Sequence, residues 1–255
     1  MPKTRPLGYG IDSPLTLTGL MAGGVASAVT GYLFYVLSSS PRLAVLRFAT
    51  GAFLLFFGAL LLVLGASLFF TSSLARHREA RGMIRDLLLG GNELVLDVEC
   101  GRGHFAVPAA KRLGTGAVVG LDTWNPRRVT GNSPWSLSAN ALAEGVSDRL
   151  RAVKGSPSLM PFADSTFDVA ATCLGFPRAG RHEVDGVVSE MARVLKPGGR
   201  LAVLFTGYGR TSPGLFESLG LTEVRISNLR LGVFPGAQRV IARKPVSPRP
   251  KVYPR

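Results

Sequence analysis

Two glycines and two acids carry the first chemical reading of this chain. Gly101 and Gly103 follow directly on the apolar run Leu94-Val95-Leu96-Asp97-Val98, and Asp122 closes a second apolar run, Ala117–Leu121. An acid at the tip of a second strand, beside a glycine turn that ends the first, can accept both hydroxyls of a ribose. Glycine lets the main chain turn sharply and lets a ligand approach it closely. Glu99 stands inside this turn, where such a loop usually takes glycine. The same spacing without a ligand is simply a tight strand-to-helix turn.

Strands and helices must build that cradle. A covering helix is expected over Arg76–Leu89, ending at Gly90-Gly91. Strand Glu93–Val98 leads through the glycines to a helix over about His104–Leu113. That helix is expected to aim its first N–H groups at the cradle, which favours anionic ligand groups there. Then follow strand Ala117–Asp122, helix Ser136–Glu144, strand Leu150–Val153, strand Phe167–Cys173, helix Glu183–Leu195 and strand Arg200–Phe205. Alternating strands and helices imply a parallel sheet. Glu223–Leu229 and Gln238–Arg243 read as a late hairpin that puts one antiparallel strand at the end of the sheet. Up to this point the glycine loop and its acid fit NAD and S-adenosylmethionine equally well.

Two further segments narrow the choice. Met160-Pro161-Phe162-Ala163-Asp164-Ser165-Thr166-Phe167-Asp168 is a turn feeding a strand, and Val194-Leu195-Lys196-Pro197-Gly198-Gly199-Arg200 joins a helix end to another strand. With the glycine loop, over about residues 85–244, these segments resemble the class I S-adenosylmethionine-dependent methyltransferases, the "type 11" group that includes quinone-biosynthesis enzymes. The resemblance implies an α/β, Rossmann-like fold with a seven-stranded, mostly parallel sheet. It also implies S-adenosyl-L-methionine as cofactor.

The implied roles are these. Asp97 fixes the loop, Gly101 and Gly103 let the methionine end of the cofactor pass the backbone, and Asp122 holds the ribose. Trp124 either packs on the adenine or closes the pocket. The segment Gly155–Leu159 lies beside the adenine, Cys173–Phe176 face the transferring methyl group, and Asp168 is structural. Two positions depart from the family. Glu99 replaces a glycine, and Ser156 stands where an acid commonly bonds the adenine amino group. Each departure is expected to cost about 1–2 kcal/mol of cofactor binding. No catalytic residue is singled out. His104 reads as a loop residue, Cys173 as strand packing, and His182 is a base candidate in a loop.

The front of the chain has a different character. No charged residue occurs from Leu15 to Pro41, or from Phe48 to Ala75. About 20 apolar residues span a bilayer as a helix, so two transmembrane helices are expected over about 15–38 and 48–70. The first is longer than a signal-peptide core, and neither shows the polar face of a soluble helix. Residues 1–75 therefore read as a membrane anchor, 76–244 as the methyltransferase-like domain and 245–255 as a basic, proline-rich tail. Lys3 and Arg5 precede the first helix, and Arg76, Arg78, Arg81 and Arg85 follow the second. Only Arg42 and Arg47 lie between them. The positive-inside rule then puts both ends, and the domain, on the cytoplasmic side of a multi-pass protein.

The net charge is +14, of which +3 lies in residues 1–75 and +11 in the rest. A tethered basic domain is attracted to anionic lipid. The basic residues are dispersed and form no RNA-binding motif, so no nucleic-acid partner is expected. Two cysteines, Cys100 and Cys173, and three scattered histidines, His77, His104 and His182, give no metal-ligand spacing, so no metal is expected. The sequence points to a membrane-anchored methyltransferase acting on a small, lipophilic acceptor. The alternative is a catalytically degenerate methyltransferase fold serving as a membrane scaffold or interaction protein. A NAD-dependent oxidoreductase is a third reading, and the Pro-Gly-Gly turn argues against it.

Overall fold

The computed structural model describes residues 14–37, 44–70, 76–125, 129, 131–173, 181–206, 213–228 and 237–246. Two long helices come first, α1 (Pro14–Leu37) and α2 (Ala44–Phe70). They pack antiparallel through glycines spaced by seven. Gly24 and Gly31 of α1 meet Gly58 and Gly51 of α2, and a Cβ on Gly58 would lie 2.8 Å from the Gly24 carbonyl oxygen. Only glycine permits that approach. Ser27 Oγ donates to the Leu54 carbonyl at 3.0 Å. Large apolar side chains such as Phe53, Phe56 and Val63 point outward. Leu15–Leu37 and Ala44–Phe69 are long and apolar enough to cross a bilayer. The second helix starts before the expected Phe48 and takes in Arg47, whose guanidinium lies 5.9 Å from the Tyr35 ring centre.

The rest is a three-layer α/β domain. Its strands are β1 (Leu94–Val98), β2 (Ala117–Asp122), β3 (Leu150–Lys154), β4 (Phe167–Thr172), β5 (Leu195–Thr206), β6 (Thr222–Ile226) and β7 (Ala237–Arg243), in the order β3-β2-β1-β4-β5-β7-β6. β1 to β5 pair in parallel. β7 runs antiparallel to both β5 and β6. The antiparallel strand is therefore second from the edge and β6 takes the edge, which corrects the expected order. The long return to β7 lets it insert beside β5, where it gains a ladder on both sides.

Successive strand residues face opposite layers. Val95, Val118 and Ala171 pack under α3 (Arg76–Leu87), α4 (Ala106–Ala110) and α5 (Pro134–Ala143). Leu96, Leu121 and Ala170 pack under α6 (Arg181–Val194) and α7 (Pro213–Ser218). α5 starts where Ser133 accepts from Ser136 N–H and Pro134 takes the first turn. α3 is clamped at its end by Arg200, which donates to the carbonyls of Leu87 and Leu88 and pairs with Glu93 Oε1 at 2.6 Å. Higher on α3, buried Arg239 of β7 lies over Gly82 and pairs with Asp86 at 3.1 Å.

Among the departures from expectation, three bear on the fold. The helix expected over His104–Leu113 is regular only at Ala106–Ala110, because Gly103, at φ +94°, keeps the preceding residues in the turn. The Pro-Gly-Gly segment lies inside β5. It bulges out of the ladder, so that Phe167 pairs with Leu195 but Val169 pairs with Arg200. α7 was not anticipated, since six residues are too few to show a period.

Candidate functional site

β1 ends at the carboxyl edge of the sheet, between β2 and β4. The loop that leaves it has left-handed backbone at alternate residues: Glu99 at φ +56°, Gly101 at +54° and Gly103 at +94°. Glycine adopts that region freely and other residues do so at a cost of about 1 kcal/mol or more. The backbone thus explains why a loop of this kind takes glycine at position 99. Here a buried glutamate holds the conformation instead.

The loop is tied down by acids that accept from backbone N–H groups. Asp97 Oδ2 accepts from Ala106 N at 2.9 Å. This uses the first N–H of a helix only five residues long, so the expected offer of helix N–H groups to an anionic ligand does not hold. Asp122 Oδ2 accepts from Gly101 N at 2.9 Å, and Oδ1 accepts from Trp124 N at 2.7 Å and from Asn132 Nδ2 at 3.2 Å. Asn140 is fully buried, and its Nδ2 donates to the Arg102 carbonyl at 2.9 Å. Gly103 admits no side chain, because a Cβ there would come within 2.8 Å of both Leu137 and Val107.

These acids set the local electrostatics. Burial, only partly offset by the Ala106 N–H and reinforced by Asp122, pushes the Asp97 carboxyl well above its usual range. Burial also pushes the Cys100 thiol up, and Asp97, Asp122 and Glu99 push it further. Cys100 is therefore a neutral packing thiol. Both cysteines are buried, and neither forms a disulfide among the described residues.

The sequence-predicted residues are placed as follows. Asp97, Glu99, Gly101, Gly103 and Asp122 converge at one edge. Trp124, at φ +59°, packs its side chain into the α3–α5 layer. Ser156 lies in the turn after β3, which is held beside the tip of β2 by Gly155 N donating to the Asp122 carbonyl at 3.1 Å. Its exposed hydroxyl lies 3.0 Å from Ser158 Oγ. Asp168 lies at the other end of the sheet, accepting from Leu94 N and Lys196 Nζ, each at 2.8 Å. Cys173 is buried at the end of β4, while residues 174–176 lie outside the described residues. His182, expected in a loop, stands in the first turn of α6, and its side chain lies outside the described residues. His104 is buried in the turn.

Sequence reasoning missed Asn132 and Thr172. The Oδ1 of Asn132, Oγ1 of Thr172 and Nε1 of Trp124 are buried and bond no described residue. Donating to Asp122 fixes which end of the Asn132 amide is nitrogen, so Oδ1 is left as an acceptor beside the acid. Asp122 itself keeps about one of some four lone-pair positions. A polyhydroxylated ligand with a cationic part fits this set of groups.

Residues 95–199 match the family model described as a methyltransferase domain. Over this stretch the chain is similar to the class I S-adenosylmethionine-dependent methyltransferase domains. Its seven-stranded sheet agrees, and the cofactor of that domain class is S-adenosyl-L-methionine. A demethylmenaquinone methyltransferase of Lactiplantibacillus plantarum is 33% identical over 136 residues, 52% of this chain and 54% of that one. A sterol 24-C-methyltransferase of Eremothecium gossypii is 34% identical over 152 residues, 56% of this chain and 37% of that one. The chain thus spans about half the length, or less, of these curated relatives. Among solved structures, geranyl diphosphate C-methyltransferase from Streptomyces coelicolor A3(2) superposes with a TM-score of 0.52 at 16% identity. It covers 66% of this chain and 78% of that one. That likeness concerns the fold of the methyltransferase domain.

Proposed function

We propose that the protein is a membrane-anchored methyltransferase whose domain faces the cytoplasm and acts on a small, lipophilic acceptor. The observation that carries the reading is the 2.9 Å bond from Gly101 N–H to Asp122. It locks the glycine turn and the ribose acid into one unit at the carboxyl edge of the sheet, where ligands of open α/β folds bind. The quinone and sterol relatives support a lipophilic acceptor. The paired apolar helices α1 and α2, with arginines after them, support the anchor and its orientation.

S-adenosylmethionine supplies an electrophilic methyl group on a sulfonium. In this reading Asp122 and Asn132 hold the ribose, one hydroxyl on Asp122 Oδ2 and the other on Asn132 Oδ1. The Gly155–Leu159 turn borders the adenine, and Gly101 and Gly103 let the methionine end pass. The buried acids favour a positively charged ligand. That attraction raises affinity rather than rate, because the charge is partly lost in the transition state. Rate then rests on aligning acceptor and methyl group in line.

Calorimetry of the full chain with S-adenosylmethionine tests the reading. Binding is expected, and Glu99→Gly should tighten it about tenfold and stabilise the fold by about 1 kcal/mol. No binding by the natural chain at millimolar cofactor, with binding restored in Glu99→Gly, would favour a non-catalytic scaffold. Glu99 is the observation that keeps that second reading alive. Carbonate extraction of membranes checks the anchor, and protease access from the cytoplasmic side checks the orientation.

A further inference from the structure

α3 buries Ala80, Met83, Ile84 and Leu87 against the sheet and turns other residues outward. Between it and the half of α4 further from the glycine loop lies a cavity of about 370 Å³. His77, Arg81, Lys111, Arg112 and Glu144 give its wall three permanent cations against one carboxylate. Lys111 pairs with Glu144. Arg81 and Arg112 form no ion pair among the described residues. The neighbouring charge is felt by His77, whose pKa is lowered by burial and then by Arg81, with Lys111 adding to the effect against Glu144. Ile84, Val107 and Pro108 make the remaining wall apolar. The cavity therefore offers an anion two uncompensated guanidinium groups and offers an uncharged neck an apolar flank.

Its place along the chain narrows the source of that anion. α3 begins at Arg76, six residues after α2 ends at Phe70. Six Cα steps reach at most about 20 Å. If α2 spans a bilayer, this tether keeps the cavity within reach of the lipid headgroups. We propose that this cavity binds a phosphate ester, and that the ester is the headgroup of an anionic membrane lipid. This rests on the membrane-anchored reading of α1 and α2. Arginine suits the ligand, since its planar fork bonds phosphate oxygens in pairs. The site is separate from the cofactor edge and would dock the domain on an acidic leaflet.

The test uses the full chain in neutral detergent, with native mass spectrometry counting retained lipids. Phosphatidylglycerol and phosphatidylcholine are offered together, and the Arg81→Gln/Arg112→Gln double variant is run beside the natural protein. Both arginines are exposed, so the variant should unfold at an unchanged temperature. The natural chain is expected to prefer phosphatidylglycerol about tenfold or more, and the double variant should lose that preference. Equal retention by both proteins would overturn the site. Inorganic phosphate at 10 mM supplies a second arm. If it raises the melting temperature of the natural chain alone and no phosphatidylglycerol preference appears, the lipid source is overturned. Flotation with phosphatidylcholine vesicles separates the two readings. A chain that does not float has no anchor, whereas one that floats without lipid preference has an anchor but no headgroup site.

Discussion

At the amino edge of the sheet, Glu93 and Asp168 each meet a cation as well as backbone N–H groups. Glu93 has Arg200 and the N–H groups of Gly90 and Gly91; Asp168 has Lys196 and Leu94 N–H. At the carboxyl edge, Asp97 and Asp122 accept from N–H groups alone, and no basic side chain meets either among the described residues. The pKa directions follow this contrast. Burial pushes Glu93 up, but the Gly90 N–H, Arg200 and the Gly91 N–H outweigh it and hold the carboxyl at about 2. Asp97, without a cation, is driven the other way. One edge has its charges neutralised for stability. The other leaves its acids without a cation, as a positively charged ligand would require.

The largest way to break the comparison is Asp122→Ala. It should weaken S-adenosylmethionine binding by about 3 kcal/mol, a hundredfold or more, in calorimetry on the full chain. Undiminished affinity would mean that the carboxyl-edge acid serves the fold alone. Next comes Arg200→Ala, expected to cost about 2–3 kcal/mol of stability in denaturant melts while cofactor affinity stays unchanged. It removes a partner of buried Glu93 and the clamp on α3. The pH dependence has a definite sign. Because folding lowers the Glu93 pKa from 4.5 to about 2, its contribution is complete above pH 4.5 and is lost as pH falls towards 2. Arg200→Ala should flatten that acid limb.

A finer test is Asn132→Ala, expected to lower cofactor affinity five- to tenfold, about 1 kcal/mol, by removing the second ribose acceptor. The smallest effect is a difference of slopes. A cation at the carboxyl edge favours ionised Asp97, so binding the sulfonium should release a proton. Affinity for S-adenosylmethionine should then rise with pH by a few-fold more than affinity for the uncharged thioether S-adenosylhomocysteine. Equal slopes would show that Asp97 does not sense the ligand.

Much of this was legible because strand and glycine signals are local. β1, β2 and β4 stand within a residue of their apolar runs, and the acid ending β2 lies beside the glycine turn, as its spacing implied. Asn132, Asn140 and Thr172 were not legible. Each is a lone polar residue with no period, and tertiary contact alone brings it to the cradle. The bulge at Lys196–Gly199 escaped for a related reason, since a Pro-Gly-Gly run reads as a turn until a neighbouring strand continues its ladder through it. The glycine register of the helical pair lies open in the numbers 24, 31, 51, 58 and 65, yet it shows which face is inside only once the two helices are paired.

That register bears on how such a helical pair would enter a bilayer. Antiparallel helices that touch backbone to backbone can insert as one closed hairpin rather than as two successive spans. If both cross, the short link between Leu37 and Ala44 must be carried over with Arg42 and Arg47. A lone arginine midway through a membrane costs about 2.5–3.5 kcal/mol on insertion scales. Arg47 lies within reach of the Tyr35 ring, so part of that barrier is offset within the hairpin before any loop reaches the far side. The pair would then commit to a membrane in a single step.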